Sequence, residues 1–135
     1  MVCIHCGGNT QVINSRHQAR INNVWRRRQC SNCGAIFTTT ESAAYGASWA
    51  IQSPSGTLTP FSRDKLFLSL HRGLQHRETA LEDAAALAET AIKKISAAVT
   101  DGIITSAAVR AAVQVALNRF DKAASVHYQA FHTGS

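Results

Sequence analysis

Two C-x-x-C pairs near the start of the chain constrain its fold more than any other feature. Cys3 and Cys6 form the first pair, Cys30 and Cys33 form the second, and no cysteine follows. Zinc binds four tetrahedral sulfur ligands, and each C-x-x-C turn can donate two of them. The spacing therefore predicts one structural Zn²⁺ ion in a rubredoxin-like zinc ribbon. Two redox disulfides or four free thiols are the alternative.

Glycines and module size support the metal interpretation. Gly7 and Gly34 directly follow the two cysteine pairs, and glycine permits the backbone conformations that such turns favour. A module of about forty residues buries too little apolar surface to fold alone, so we expect the metal to supply much of the folding free energy. Because protein sulfurs fill all four ligand positions, the zinc is expected to be structural rather than catalytic.

Basic residues are distributed unevenly along the 135 residues, whose formal net charge is +6. Residues 1–45 contain five arginines, no lysine and one acidic residue, Glu41, whereas residues 46–135 contain nine basic and seven acidic residues. Four zinc-bound thiolates leave a local charge of about −2, so the excess of the first segment is smaller than its arginine count. The charge favours an anionic partner.

The arginine cluster in the first segment predicts contact with double-stranded DNA. Guanidinium groups bind phosphate with two parallel hydrogen bonds and can reach guanine edges in a major groove. In a strand, Arg26 and Arg28 would share one face, with Arg27 and Trp25 on the other. A solvated charged face is the alternative. The predicted DNA-binding residues are Arg16, Arg20, Arg26, Arg27 and Arg28.

The sequence predicts two domains and an α+β fold. Residues 1–45 lack a helical apolar period, and short strands are expected around 11–15, 23–28 and 35–39. Residues 46–135 are expected to form a small, mostly helical domain. It begins with a β-hairpin over 49–61, whose turn contains Pro54 and Gly56.

Four helices are expected after the hairpin, each with a buried apolar face. Ser62 is the predicted N-cap of the first, residues 80–99 form the second, and the others begin near Thr105 and at Asp121. Apolar residues at steps of three and four mark the buried faces. The predicted core positions are Leu66, Leu70, Leu74, Leu81, Ala85, Ala88, Ile92, Ile95, Val99, Val109, Val113, Leu117, Phe120, Ala124, Tyr128 and Phe131.

Several functional classes are disfavoured. The apolar stretches are too short and interrupted to cross a bilayer, and Cys3 and His5 lie where a signal peptide would begin. A cytoplasmic protein is therefore expected. The histidines form no metal motif of the H-E-x-x-H kind, and no nucleophile–base pair is visible, so an enzyme is not expected.

Four segments carry a resemblance to the bacterial ribonucleotide reductase repressors, the NrdR family. Ser15–Arg16 and the run R-R-R-Q-C-S-N-C-G-A-I-F-T-T-T-E from Arg26 to Glu41 resemble the zinc-ribbon signature of that family. Residues 60–66 resemble its P-F-D-R-E-K segment, and residues 120–131 resemble its closing helix. The resemblance implies a DNA-binding zinc ribbon beside an ATP-cone. In this family the cone senses ATP and deoxy-ATP, and nucleotide state changes oligomerisation.

The cone segment diverges from the family pattern. The family's V-x-K-R-D-G-type element aligns with I-Q-S-P-S-G at 51–56, so Ser53 and Pro54 stand where the family has two basic residues. The resemblance still implies that Lys65 approaches nucleotide phosphates, although an ordinary surface lysine is the alternative. The nucleotide-binding positions implied by the resemblance are Ile51, Gly56, Lys65 and Arg77.

Two functional hypotheses follow. The first is a DNA-binding repressor of ribonucleotide reductase genes that forms a homo-oligomer and has an ATP or deoxy-ATP effector. The second is a protein-interaction module, in which the ribbon docks on a larger assembly and a nucleotide-blind cone mediates self-association. DNA binding at moderate salt separates the two.

Overall fold

A computed structural model of the protein describes residues 1–132 and divides the chain into two compact units. The first unit is Met1–Ala43 and the second begins at Ala44, two residues before the predicted boundary. Residues 45–48, for which no helix was predicted, form the single-turn helix α1 (Tyr45–Ser48) of the second unit. Each unit is described separately below.

The first unit is a three-stranded antiparallel sheet with the order β1-β2-β3. The strands are β1 (Thr10–Gln18), β2 (Asn23–Cys30) and β3 (Ile36–Ser42). All three expected strands are present, and they are longer than predicted because pairing continues beyond the apolar residues. The register shifts between Val12 and Asn14, which places a β-bulge in the edge strand β1.

The second unit contains a small sheet with the order β5-β4-β6. The predicted hairpin is present as β4 (Ala50–Gln52) and β5 (Leu58–Pro60), which pair antiparallel. The strand β6 (Ile103–Thr105), which pairs parallel to β4, was not predicted. It follows a tight turn in which Asp101 and Gly102 adopt φ of 53° and 74°. Asp-Gly with two positive φ values reverses the chain directly before β6.

Four longer helices complete the second unit, so the described residues contain five helices rather than four. They are α2 (Arg63–Gly73), α3 (Ala80–Ala98), α4 (Ser106–Phe120) and α5 (Lys122–Phe131). The predicted cap is confirmed, since the Ser62 side chain accepts a hydrogen bond from the Lys65 N–H. Thr105 and Asp121 cap α4 and α5 in the same way. No helix within residues 1–132 is long and apolar enough to cross a membrane.

The core of the second unit forms where the four longer helices pack together. Leu70, Leu74, Ile95, Val113 and Leu117 are fully buried. Four alanines of α3 are also buried, and their small side chains let neighbouring helices approach closely: Ala80, Ala84, Ala88 and Ala91. Next to this core, the rings of Tyr45, Trp49 and Phe61 pack together with centroid separations of 4.5 to 6.2 Å.

Three predicted core positions are wrong. Leu81, Phe120 and Phe131 are 59%, 42% and 55% exposed. The two aromatic rings instead contact guanidinium groups. That of Arg77 lies 4.7 Å from the centroid of the Phe120 ring, and that of Arg72 lies 5.4 Å from the centroid of the Phe131 ring. Phe120 and Phe131 lie at the edges of the apolar stripes of their helices, where a cation–π contact takes the place of burial in the core.

Candidate functional site

The four cysteines of the first unit meet at one point. Their Sγ atoms all lie within 4.8 Å of one another. The Sγ atoms of Cys3 and Cys33 are 3.7 Å apart, and those of Cys6 and Cys30 are 3.5 Å apart. Separations of this size place four sulfurs around a common centre, as tetrahedral zinc with Zn–S bonds of about 2.3 Å requires.

The two cysteine turns have matching backbone geometry. The Gly7 N–H donates to the Cys3 carbonyl at 3.0 Å, and the Gly34 N–H donates to the Cys30 carbonyl at 3.1 Å. Gly7 and Gly34 have φ of 76° and 75°, in the left-handed region that favours glycine. The predicted role of both glycines is therefore confirmed.

Backbone N–H groups point at the sulfurs of both turns. The His5 N–H donates to the Cys3 Sγ at 3.3 Å, and the Asn32 N–H donates to the Cys30 Sγ at 3.3 Å. Gly8 packs closely beside them, since a Cβ at this position would lie 2.8 Å from the Asn32 Cβ. The chain thus closes tightly around the sulfur cluster.

The local environment acts on the cysteine thiols in opposite directions. A hydrogen bond from the Asn32 side chain, together with one from the Gly8 N–H, lowers the pKa of Cys6 to about 6. The Ala35 N–H lowers the pKa of Cys33, but the crowded thiols, Cys6 first, raise it to about 11. A Zn²⁺ ion removes this conflict because it binds all four sulfurs as thiolates and offsets half of their negative charge. The residues therefore fit one structural zinc ion with no open ligand position.

The predicted DNA-binding arginines divide between the two faces of the first sheet. Arg16 lies opposite Trp25, and Arg27 lies opposite both Asn14 and Thr38. Because opposed residues share a face and residues alternate along a strand, these side chains lie together. We call Asn14, Arg16, Trp25, Arg27, Thr38 and Thr40 the arginine face. Arg20 is exposed and lies beyond the end of β1.

Arg26 and Arg28 lie on the opposite face and have protein partners. The Arg26 Nη1 lies 3.4 Å from an Oε2 of Glu41, the one acidic residue of the first unit. Arg28 donates to the hydroxyls of Thr39 and Thr10 at 3.2 and 3.5 Å. By contrast, Arg16 and Arg27 on the arginine face have no ion pair within residues 1–132.

The nucleotide positions implied by the resemblance are not brought together. Ile51 and Lys65 line one cavity of about 210 Å³. Gly56, with φ of 88°, lies in the β4–β5 turn and does not line this cavity. Arg77 also lies elsewhere, where its guanidinium contacts Asp83 at 2.8 Å and Asp121 at 3.1 Å.

Asp121 is the centre of that separate charged group. It accepts from the His76 ring at 3.0 Å and from Arg77, and it caps α5 through the Ala123 and Ala124 N–H groups. The His76 hydrogen bond first, then the backbone N–H groups and Arg77, holds the pKa of Asp121 well below its usual range. In the described chain Arg77 thus connects α3 with the start of α5 through Asp83 and Asp121.

Arg110 and Tyr128 line cavities of the second unit, and the sequence analysis assigned Arg110 no role and Tyr128 only a core position. Both line the 210 Å³ cavity and a neighbouring cavity of about 540 Å³. Arg110 lies three and seven residues before Val113 and Leu117, so it belongs to the buried stripe of α4. A charged residue on a buried stripe is rare unless it has a partner or faces a polar cavity, and this signal was readable in the sequence.

The fold and the sulfur site together define the first unit as a zinc ribbon with a structural metal centre. The family described as "Transcriptional repressor NrdR-like, N-terminal domain" matches residues 1–41. A "Transcriptional repressor NrdR" of Methylorubrum extorquens is 33% identical over 129 residues, which cover 95% of this chain. A protein of the same name from Leifsonia xyli is 38% identical over 90 residues, or 66% of this chain. The chain belongs to the NrdR family of transcriptional repressors.

The relatives are longer than the matched region. The aligned residues cover 55% of the length of the Leifsonia xyli protein and 69% of that of the Methylorubrum extorquens protein. The family assignment extends across both units, because the longer alignment spans nearly the whole chain.

Proposed function

We propose that this protein is a DNA-binding transcriptional repressor, and that its zinc ribbon contacts double-stranded DNA through the arginine face. Family membership supports the regulatory role, since its relatives are named transcriptional repressors. The observation that carries the DNA contact is the pairing of Arg16 and Arg27 on one face with no acidic neighbour. The acidic Glu41 pairs with Arg26 on the other face.

Arginine without an ion-pair partner is well suited to phosphate. An unpaired guanidinium loses no protein contact when it binds DNA, and it can form two parallel hydrogen bonds to a phosphate or to a guanine edge. Trp25, between Arg16 and Arg27 on the same face, adds an aromatic surface. Arg20 extends the positive region beyond β1, whereas Arg26 and Arg28 would have to give up existing partners.

The resemblance extends the proposal to the second unit. In this extended proposal, residues 44–132 form the regulatory and oligomerisation domain of a cytoplasmic homo-oligomer that represses ribonucleotide reductase genes. The adenine nucleotide effector implied by the resemblance stays a separate prediction. Its test is calorimetric titration of the zinc-loaded chain with ATP and deoxy-ATP, and absence of binding at millimolar nucleotide would contradict it.

The DNA contact is tested by fluorescence anisotropy of the zinc-loaded chain with a mixed-sequence duplex, followed by recovery of the preferred sequences. The double variant Arg16→Ala/Arg27→Ala should lose at least about tenfold in affinity near 0.1 M salt. Its log–log salt slope should be shallower by about two, one for each lost phosphate contact. Arg119→Ala, an exposed arginine of α4, is the matched control and should bind as the unchanged protein does.

Equal affinity of the double variant and the unchanged protein would contradict the proposal. If the chain binds no duplex at moderate salt but recovers a protein partner, the protein-interaction hypothesis is favoured instead. Zinc content must be the same in every variant, because a ribbon without metal would lose binding for a different reason.

A further inference from the structure

The arginine face continues toward the zinc site in one further row of side chains. Gln11, Gln29 and Ile36 lie opposite one another on β1, β2 and β3. Gln29 lies two residues from Arg27 on β2, so this row is on the same side of the sheet as the arginines. Phe37, the next residue of β3, is buried on the other side with the buried zinc ligands. The row therefore faces away from the metal site.

Ile36 is an aliphatic residue on a face that otherwise offers mostly polar groups. It is 47% exposed. A lone exposed apolar residue is ordinary on a protein surface and by itself indicates no ligand. Here the same row carries two amide side chains, and the unpaired Arg27 lies diagonally from Ile36. An aliphatic group, amides and a guanidinium together match the groups that base pairs present in a major groove.

The amides of Gln11 and Gln29 are available to a ligand. Neither side chain forms a hydrogen bond within residues 1–132. A glutamine amide can donate to N7 of an adenine while it accepts from the N6 amino group, and an aliphatic group can contact the 5-methyl group of a thymine. The methyl group and the adenine edge lie side by side in the same groove. The row thus carries the groups that recognise an A·T pair.

The spacing between Ile36 and Arg27 suits neighbouring base pairs. Arg27 lies opposite Thr38, which is two residues after Ile36 on β3. Such diagonal neighbours are about 7–8 Å apart. Nucleotides of one strand follow each other at about 3.4 Å along the duplex, so the two side chains can reach positions about two base pairs apart. The major groove, about 12 Å wide, admits paired β-strands.

We propose that Ile36 determines base specificity by contacting the 5-methyl group of a thymine in the major groove, while Gln11 or Gln29 binds the edge of an adenine beside it. The thymine lies within about two base pairs of the position that Arg27 contacts. This inference rests on the proposed function, because it names the base pair that the arginine face recognises. The arginines supply affinity for the duplex, and the row of Ile36 supplies the preference for sequence.

The test uses the zinc-loaded full chain and the preferred duplex recovered in the DNA-binding experiment above. Each thymine is replaced in turn by deoxyuridine, which lacks the 5-methyl group but keeps the base pair and the charge. For at least one thymine this replacement should weaken binding about fourfold in anisotropy measurements, the effect of uncovering one apolar group the size of a methylene. In Ile36→Ala the same replacement should change affinity less than about twofold, because the methyl group has lost its contact.

Three further variants complete the test, each with its zinc content checked. Val12→Ala is the matched control, since Val12 is 43% exposed and lies opposite Arg28 on the other side of the sheet, so the effect of deoxyuridine should remain. Ile36→Arg guards against misfolding, because it should bind the duplex at least as tightly as Ile36→Ala and still show no effect of deoxyuridine. Gln11→Ala/Gln29→Ala should remove the cost of replacing an adenine by 7-deaza-adenine, which lacks N7.

Three results would overturn the proposal. They are a duplex in which no deoxyuridine weakens binding, an undiminished effect of deoxyuridine in Ile36→Ala, and recovery of no preferred sequence. If Arg16→Ala/Arg27→Ala still loses affinity in any of these cases, the DNA contact stands and only the contact to thymine is wrong. Absence of any duplex binding by the unchanged chain would contradict the proposed function as well.

Discussion

The two units of this chain are stabilised in opposite ways. In the first unit the buried cluster consists of Cys3, Cys30 and Phe37, so two of its three members are zinc ligands. In the second unit the buried cluster runs through all four longer helices and includes Ile104 of β6. Apolar burial contributes roughly 25 cal/mol per Å². The first unit gains little stability from apolar burial, whereas the second unit depends on apolar burial for its stability.

The comparison separates two requirements that the family combines in one chain. A sheet whose edge strand is exposed along most of its length offers polar and charged side chains for contact with a partner. Its stability then has to come from the metal, because few residues remain for a core. The second unit has a packed core and can contain cavities without unfolding. Each prediction below tests this division, from the largest effect to the smallest.

Removal of zinc should unfold the first unit and leave the second folded. Structural zinc contributes apparent binding free energies of about 10–16 kcal/mol in small zinc modules, which exceeds what the ribbon's apolar core can replace. The chain has two tryptophans, Trp25 in the first unit and Trp49 in the second. In Trp49→Phe, chelation should shift the Trp25 emission, whereas in Trp25→Phe the Trp49 emission and the helical circular dichroism should stay constant.

Cys33→Ser should reproduce the effect of the chelator without any added reagent, because it removes one of four ligands. Chelation that melts the helices as well would show that the second unit also depends on the metal. An unchanged Trp25 emission would show that the ribbon folds without metal.

Leu70→Ala should destabilise the second unit by about 2–5 kcal/mol and leave the zinc content unchanged. Leu70 is fully buried in α2, so truncation removes apolar contacts and leaves a cavity. Leu68→Ala on the same helix is the matched control, since Leu68 is 59% exposed and its loss should change stability by no more than about 0.5 kcal/mol. Urea denaturation followed by circular dichroism measures both. Loss of zinc from Leu70→Ala would contradict the independence of the two units.

Asp121→Asn should lower the thermal midpoint of the second unit by a few degrees at pH 7 and weaken its acid sensitivity. Asparagine can still cap α5, but it loses the charge that pairs with Arg77 and His76. Because the pKa of Asp121 is depressed in the folded protein, its stabilisation is present above about pH 4 and is lost as the pH falls further. Asp83, whose pKa is also lowered, should maintain part of the dependence of stability on pH in this variant.

The measurement is thermal melting between about pH 5 and 2, with Trp49 as the probe in a Trp25→Phe background. This choice excludes the ribbon, which loses zinc in acid because its thiolates are protonated. A wild-type slope in Asp121→Asn would contradict the assigned role of the carboxylate. The Lys93→Ala variant serves as a control for a surface charge on α3.

Local signals in the sequence predicted much of the fold. The cysteine spacing predicted the ribbon, and Ser62, Thr105 and Asp121 marked helix starts that the structure has. Two features were not predictable in this way. The strand β6 is only three residues long and is defined by pairing with β4, which lies about fifty residues earlier. The exposure of Phe120 and Phe131 depends on arginines from a different helix and its following loop, which periodicity does not report.

The candidate functional sites were likewise predicted only where their signal is local in the sequence. Ligands at fixed spacing, such as Cys3 and Cys6, were identified from the chain alone. Strand alternation predicted that Arg27 and Arg28 lie on opposite faces. The hydrogen-bond partners of Arg28 depend on strand register and on threonines of β1 and β3, so the sequence assigned both arginines to DNA. Arg110 was overlooked because the cavity that it lines is completed by Lys65 and Tyr128, which come from other helices.

The unequal burial of the four sulfur ligands has a kinetic consequence. Cys3 and Cys30 are 4% and 2% exposed, whereas Cys6 and Cys33 lie at the surface. Each C-x-x-C turn therefore has one sulfur ligand shielded from solvent and one that is accessible to solvent. An incoming chelator or oxidant reaches the accessible pair first, so metal exchange begins at Cys6 and Cys33 while Cys3 and Cys30 still hold the ion. We therefore expect the rate of metal exchange to depend mainly on Cys6 and Cys33, whereas the affinity depends on all four cysteines.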